Sequence, residues 1–280
     1  MLRKVTLFAV ALALVAGPAL ASGKVREPHP VAFSFEGPFG RFDQAQLQRG
    51  YKVYREVCAS CHSMNLVAFR NLGDKGGPFF DPKYPNPNDN PVVKALAADS
   101  QIRDIDGETG DAIQRPGIPA DNFPAPFPND PASRASNGGV LPPDLSMMAK
   151  AREGGPEYIA SLLTGFVTPP AGLTVGPGQH YNPWFPGDVS SAWSGDHAHV
   201  PEGGFIAMAP PLAPDKVEFD DGTKSTVRQQ AQDVAAFLMW TAEPKMEERK
   251  QMGFSVLIFL VLFSGLLYAS YRRVWRNESH

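Results

Sequence analysis

REVCASCHSMN, residues 55–65, is the stretch that decides how this chain folds and what it can bind. It holds Cys58 and Cys61, the only two cysteines among 280 residues, and His62 follows the second directly. Two cysteines at this spacing occur in disulfides, in zinc sites and in covalent haem attachment. Four cysteines would suit a zinc site better, and a disulfide oxidoreductase would need a βαβ context that the sequence does not show.

Covalent haem attachment accounts for both the spacing and the histidine. Two thiols three residues apart on one helical turn can add to the vinyl groups at one edge of a porphyrin. The next residue then points its imidazole under the iron. The stretch therefore predicts a c-type haem, with Cys58 and Cys61 as attachment points and His62 as an iron ligand.

The residues before this motif predict an amphipathic helix. Asp43 is a candidate N-cap, and Gln46 three residues later completes a capping-box pattern. Leu47, Tyr51 and Tyr54 then recur at helical spacing. The cysteine motif accordingly lies at the C-terminal end of this helix.

The sixth coordination position of the iron decides the function. A methionine or histidine there gives an electron carrier, whereas an open position favours ligand binding or peroxidase chemistry. Setting aside the methionines at the N-terminus, near His62, in the last soluble helix and at the membrane leaves Met147, Met148 and Met208. Met208 lies in GFIAMAPPLAP, where two prolines favour an extended loop, and a loop suits presentation of a thioether.

Four histidines are alternative ligands for the same position. His197 and His199 form an HxH pair in SGDHAHV, although such a pair on a polar loop is more often solvated. His180 and His29 are weaker candidates. The pattern favours Met208 and leaves these histidines open as alternatives.

Residues 1–21 predict a signal peptide. Arg3 and Lys4 form a positive n-region, an apolar run follows, and Ala-Leu-Ala precedes Ser22 as a small-residue cleavage site. An uncleaved membrane anchor is the alternative, but the apolar run is short and ends in Gly-Pro. The body of the protein is therefore expected outside the cytoplasm.

The segment GFSVLIFLVLFSGLLYASY, residues 253–271, predicts a transmembrane helix. It carries no charged residue over 19 positions, which corresponds to about 28 Å of helix and to the thickness of a bilayer core. A helix of a soluble core is rarely apolar on every face. Together with the signal peptide, this predicts a periplasmic domain at 22–250, a membrane helix at 251–271 and a cytoplasmic tail at 272–280.

Between these segments, composition and pattern predict a mostly α domain with long irregular loops and no strands. The chain has 26 glycines and 28 prolines, more than the roughly 12% that the two residues average together. The sequence predicts loops at residues 73–143 and 168–214. Phenylalanines in the 73–143 loop predict that this loop packs against the domain. The net charge of −3 excludes a strongly basic nucleic-acid surface. Further helices are predicted in PDLSMMAKAR, GPEYIASLLTG and STVRQQAQDVAAFLMWTAEP.

Eight blocks of the sequence, in order, resemble the cytochrome c1 family, the haem subunits of cytochrome bc1 complexes. The resemblance spans essentially the whole chain after residue 21. It implies a class I cytochrome c-like haem domain with one C-terminal transmembrane helix. The blocks are FDQAQLQRGYKVYREVCASCHSM, NGGVLPPDLSMMAKAR, GGPEYIASLLTGF, YNPWFPG, IAMAPPL, EFDDGT, DVAAFLMWTAEP and the C-terminal apolar segment.

The resemblance also implies roles for individual residues. His62 and Met208 would be the two axial ligands of the iron. Arg152 and Tyr158 would approach the haem propionates, because a guanidinium and a hydroxyl group both hydrogen-bond to carboxylates.

Four further residues are implied to line the haem pocket and exclude water, which raises the redox potential. They are Asn137, Pro143, Leu163 and Ile206. One segment departs from the family: residues 188–204 look like an insertion relative to its shortest members. This segment also lacks the cysteine pair that some bacterial relatives carry there, so what holds the loop of the sixth ligand is left open.

The function implied is one-electron transfer, not an enzymatic reaction of this subunit by itself. The haem would accept an electron from the Rieske iron–sulfur protein and pass it to a soluble cytochrome c, beside cytochrome b in the bacterial cell membrane. Asp104, Asp106, Glu108 and Asp111 are candidate acids for docking a basic cytochrome c through electrostatic steering. A haem peroxidase and an anchored cytochrome c of a different complex are the alternatives.

Overall fold

The computed structural model of the protein describes residues 25–277, so the predicted signal peptide lies outside the described residues. Seven α-helices dominate the described part of the chain, joined by 3₁₀ turns and long connections. The predicted mostly α architecture is confirmed. The helices are α1 (Gln44–Val53), α2 (Pro91–Ala98), α3 (Asp130–Ser136), α4 (Met148–Ala151), α5 (Gly155–Thr164), α6 (Val227–Ala242) and α7 (Met246–Val274).

Helices α1 and α6 cross at very close range in the centre of the core, and α5 packs on another face of α6. A methyl group at Gly50 would lie 2.1 Å from the main-chain oxygen of Asp233 and 2.7 Å from Cβ of Phe237. Only glycine allows this approach. Beside it, the Arg49 guanidinium donates a hydrogen bond to the fully buried Asp233 carboxylate at 2.8 Å. The pairing compensates the cost of burying that charge.

Side-chain caps begin both of these helices. The Asp43 carboxylate accepts a hydrogen bond from Gln46 N at 3.1 Å, as predicted. The Gln46 side chain donates instead to Asp233 on α6, at 3.2 Å. Thr226 caps α6 by accepting from Gln229 N at 3.1 Å. Only the Asp43 half of the predicted capping box is therefore formed. The side chain of Gln46, which would have completed it, links α1 to α6 instead.

The prediction that the domain has no strands was wrong. Strands β1 (Gln101–Ile105) and β2 (Ala112–Pro116) pair as one antiparallel hairpin, and β3 (His180–Asn182) and β4 (Gly204–Ile206) pair as another. The first hairpin buries no residue fully, so it lacks the apolar alternation from which a strand is predicted. The second has three residues per strand, which is too short for a periodic pattern.

The region 73–143 is more ordered than a loop, since it contains α2, the first hairpin and α3. Asn90 caps α2 by accepting from Val92 N at 2.9 Å, and Pro91 starts the helix. Phe79 and Phe123 pack against the main core, as predicted. The region thus wraps the domain and is fastened to it at several points.

The segment 188–204 is folded against the domain as well. Val189 is buried in a small hydrophobic cluster together with Leu173, and Trp193 and Val200 pack against that cluster. Its last residue, Gly204, is the first residue of β4. Apolar packing therefore orders this segment without any cysteine pair.

Helix α7 is long and apolar enough to cross a membrane, and no other helix among the described residues is. It starts before the apolar stretch, at Met246, which is buried in the main core. The first turn of α7 is therefore part of the domain, and the apolar stretch extends from it.

Candidate functional site

The cysteine motif lies where α1 changes its winding. Residues 54–58 continue α1 as one π-helical turn, in which Ala59 N donates to Tyr54 O at 2.8 Å. Cys61 N and His62 N then both donate to Cys58 O, at 3.1 Å and 2.9 Å. Turns of the π type are frequent at functional sites because they re-aim side chains within a helix. This one closes the motif into a compact turn.

Both thiols of the motif are free and partly buried. Cys58 packs against the main hydrophobic core, and burial raises the pKa of its thiol to about 12. Among the described residues, no group of three or more His, Cys, Asp and Glu side chains could hold a metal ion. The zinc interpretation therefore lacks further protein ligands in the part of the chain that the structure describes.

The half-buried His62 ring is held by one hydrogen bond, between Nδ1 and the main-chain oxygen of Pro143 at 2.8 Å. A carbonyl oxygen only accepts, so the proton lies on Nδ1 and the lone pair on Nε2. Burial lowers the pKa of His62, although the Pro143 carbonyl and Asp144 oppose this. A neutral imidazole with a free Nε2 and a carbonyl behind Nδ1 is the arrangement of a metal-binding histidine.

Asp144 ties the segment after Pro143 to the motif. One carboxylate oxygen accepts from Ser63 Oγ and Asn65 N, both at 2.8 Å. The other accepts from Ser146 N at 2.8 Å. Burial works to raise the pKa of Asp144, but these hydrogen bonds lower it below its ordinary value. Sequence reasoning missed this residue, although Asp-x-Ser after a proline pair is a signal for a side-chain turn.

Met208 lies two residues after β4, in a loop that is fixed at both ends. On one side, Ile206 pairs with His180 across the β3–β4 hairpin. On the other, Leu212 packs against the main core, and the Gln230 side chain donates to Ala213 O at 2.8 Å. The open question of what holds this loop therefore has an answer in strand pairing, apolar packing and one buried amide.

The alternative sixth ligands have other surroundings. Met148 packs against the main core, whereas Met147 is 44% exposed. The exposed His199 is paired with its neighbour Asp196 at 2.8 Å. The ring of His29 packs on a tryptophan, with ring centroids 4.9 Å apart. Met208 is itself partly buried and lies on a loop that is tethered at both ends.

Two of the predicted pocket residues are brought together. The Arg152 guanidinium lies near the hydroxyl of Tyr158, which is buried on α5, and donates a hydrogen bond to Ala151 O at 3.1 Å. Burial raises the pKa of Tyr158, and the neighbouring Arg152 charge opposes this shift. Leu163 packs against the same core as Cys58. The side chain of Asn137 donates to Ser133 O at 2.7 Å, so one of its donors is used at the end of α3.

The predicted docking acids lie on and around the β1–β2 hairpin. Arg115 donates to Asp104 at 2.6 Å, and this hydrogen bond lowers the pKa of that carboxyl. Asp106 accepts from the main-chain nitrogens of Glu108 and Thr109 and thereby closes the turn. Two of the four acids thus have structural partners within the hairpin.

A mostly α domain with a C-x-x-C-H turn and one apolar C-terminal helix has the features of a membrane-anchored c-type cytochrome. Comparison with known proteins defines the group further: residues 33–278 match the model of the Cytochrome C1 family, and the chain belongs to this family. Members are the haem-bearing, electron-carrying subunits of bc1 complexes. The predicted resemblance is therefore confirmed.

Individual relatives agree with this assignment. The chain is 43% identical over 297 residues to the cytochrome b/c1 of Bradyrhizobium diazoefficiens, which covers 96% of this chain and 40% of that relative. It is 40% identical over 268 residues to cytochrome c1 of Rhodospirillum rubrum, covering 90% and 89% of the two chains. A mitochondrial cytochrome c1 from Saccharomyces cerevisiae is 45% identical over 230 residues, covering 82% and 66%.

Proposed function

We propose that this chain carries one covalently bound haem c and transfers single electrons from the Rieske iron–sulfur protein to a soluble cytochrome c. One observation carries the proposal: the C-x-x-C-H turn presents two free thiols beside an imidazole whose Nδ1 is engaged and whose Nε2 is free. Residues of this kind fit a c-type haem. When bound, the haem supplies an iron centre that changes its charge by one electron.

The chain's own residues would attach, orient and shield this group. Cys58 and Cys61 would form the two thioether links, and His62 and Met208 would supply the ligands of the iron. The Pro143 carbonyl keeps the imidazole in one tautomer and one orientation. A thioether ligand favours reduced iron, so Met208 in this role would suit acceptance of an electron from a Rieske centre.

Arg152 and Tyr158 would bind the carboxylates of the group. Their side chains lie close enough for the Arg152 charge to act on Tyr158, so a carboxylate would meet two donors in one place. Asn137, Leu163 and Ile206 would complete the walls of the pocket and exclude water. Exclusion of water disfavours the more highly charged oxidised state and so raises the potential.

The helix α7 would anchor this domain in the bacterial cell membrane. We place the signal peptide at 1–21, the periplasmic haem domain at 22–250, the transmembrane helix at 251–271 and the cytoplasmic tail at 272–280. The apolar character of α7 supports the anchor, and the proposed signal peptide sets its orientation.

Cytochrome b and the Rieske protein are the proposed partners in the membrane. Membership of the Cytochrome C1 family supports both, and a relative that is itself named cytochrome b/c1 supports the first. Purification of the tagged chain from solubilised membranes should bring both proteins with it. Recovery of the chain with the subunits of a different oxidoreductase would reject this complex and favour the alternative of an anchored cytochrome in another pathway.

The ligand assignment is tested by the visible spectrum of Met208→Leu. The parent protein should show a low-spin c-type spectrum, and the variant should lose the methionine–iron band and bind carbon monoxide when reduced. Met147→Leu is the matched control, because Met147 is exposed and should leave the spectrum unchanged. An unchanged spectrum of Met208→Leu would show that another residue binds the iron, and carbon monoxide binding by the parent protein would favour a peroxidase-like open site.

A further inference from the structure

A tight turn beside the start of α7 presents an unusually exposed aromatic side chain. The turn, residues 36–40 and here called the Phe39 loop, has the sequence EGPFG. Phe39 is 75% exposed, more than any other large hydrophobic residue among those the structure describes. Its ring meets the edge of Phe254 with centroids 5.9 Å apart. An exposed phenylalanine is therefore held next to the first residues of the apolar stretch of α7.

Hydrogen bonds fasten the Phe39 loop to α7 from both sides. The Glu247 carboxylate accepts from Phe42 N at 3.0 Å. The Lys250 ammonium donates to Phe35 O at 2.6 Å and to Gly40 O at 3.2 Å. Since Met246 is buried in the main core, the first turn of α7 is rigidly joined to the domain, and the loop is rigidly joined to that turn.

The groove between the Phe39 loop and α7 is lined by both charged and apolar side chains. Its volume is about 710 Å³. Arg41, Glu247 and Arg249 line it together with Phe39, Phe254 and Leu257. On α7 the charged residues precede the apolar stretch, to which Phe254 and Leu257 belong. Aromatic side chains are enriched at the boundary between headgroups and hydrocarbon, and cations favour the level of the phosphates.

We propose that the Phe39 loop is a second membrane contact of this protein, in which Phe39 inserts into the lipid interface beside α7 and Arg41 lies at the level of the lipid phosphates. The proposal rests on α7 spanning the membrane. The partner is the bilayer, because Phe39 continues the apolar surface of α7 and because the exposed Arg41 beside it matches anionic headgroups. A single helix alone would leave the domain free to tilt, whereas a second contact fixes its orientation on the membrane.

The test places the photoreactive analogue p-benzoylphenylalanine at position 39 of the full-length protein in its native membrane. Irradiation should give a phospholipid adduct at this position, detected by mass spectrometry of the purified chain. The same analogue at position 105 is the control, because Ile105 is 68% exposed on the β1–β2 hairpin and should give no lipid adduct. An adduct to another polypeptide at position 39, or no lipid adduct there, overturns the proposal.

A third position separates failure of this proposal from failure of the proposed anchor. Val261, in the middle of the apolar stretch, is 71% exposed and should meet lipid if α7 spans the membrane. A lipid adduct at position 261 but not at position 39 rejects the Phe39 contact alone. Absence of lipid adducts at both positions rejects the membrane-spanning helix, and the Phe39 contact with it.

Discussion

Replacing Gln230 by leucine should loosen the Met208 loop while leaving the fold nearly as stable as before. Gln230 is fully buried on α6. Its amide nitrogen donates to Ala213 O at 2.8 Å, and to Ser225 O and Ser225 Oγ at 3.0 Å each. Its amide oxygen has no hydrogen-bond partner. The side chain thus combines a favourable tether with an unfavourable buried carbonyl.

The two effects nearly cancel in global stability. Each lost hydrogen bond costs about 1 kcal/mol net, so losing the two N–H donors, which the three acceptors share, costs about 2 kcal/mol. Leucine also removes the unpaired oxygen, whose burial costs about 1–3 kcal/mol. The free energy of unfolding should therefore change by about 1 kcal/mol or less.

The local effect has no such compensation. The loop after Met208 loses its tie to α6 at Ala213, worth about 1 kcal/mol, which corresponds to roughly a fivefold increase in the population with the loop released. With Met208 as the proposed ligand, added imidazole should compete with it for the oxidised iron, and the apparent affinity for imidazole should rise about fivefold. Gln232→Leu on the same helix is the matched control and should leave imidazole binding unchanged.

Two measurements together decide this case. Thermal unfolding followed by circular dichroism reports the global change, and imidazole titration followed by visible absorbance reports the local one. Unchanged imidazole affinity in Gln230→Leu would refute the assignment of Gln230 as the tether. A loss of several kcal/mol in the free energy of unfolding would show that removing the unpaired oxygen does not offset the lost hydrogen bonds.

Further predictions concern acid stability and helix packing. The pKa of Asp144 is lower in the folded protein than its ordinary 3.8, so its contribution to stability is present above about pH 4 and is lost as pH falls through the folded value. Asp144→Asn should therefore lower the melting temperature at pH 7 and flatten the dependence of the melting temperature on pH between 5 and 3. The same pH dependence in both proteins would contradict this. Gly50→Ala should lower the free energy of unfolding by about 1–3 kcal/mol or more in a denaturant titration, because its methyl group would meet the backbone of α6. Gln44→Ala, at an exposed position at the start of the same helix, should have a much smaller effect. Equal losses of unfolding free energy in the two variants would argue against the close contact.

Local signals predicted the helices and the motif from sequence. Asp43 is an example of a helix start that was predicted, and Pro91 is an example of one that was missed. The cap at Asp43 preceded a clear apolar repeat, and the helix that follows it was predicted. Asn90-Pro91 is also a helix-start signal, but it lies among prolines and asparagines, and α2 was missed. The strands were missed because an exposed or three-residue strand leaves no periodic trace.

The site divides in the same way. The spacing of Cys58, Cys61 and His62 is a local pattern, so it could be read directly. The contact between His62 and Pro143 joins residues 81 positions apart, and nothing local indicates it. The tether at Gln230 is hidden for another reason: a glutamine within an apolar helix face reads as an imperfection of the pattern until its partners are known.

The oxygen that orients His62 belongs to the backbone of residue 143. An amino-acid exchange alters side chains, so no exchange at this position can delete the acceptor by itself. Insertion of one residue nearby is different, because it displaces the carbonyl by up to about 3.5 Å, more than the length of the hydrogen bond. Spacing along the connection from residue 62 to residue 143 should therefore matter more to the imidazole than the chemical identity of the residue that supports it.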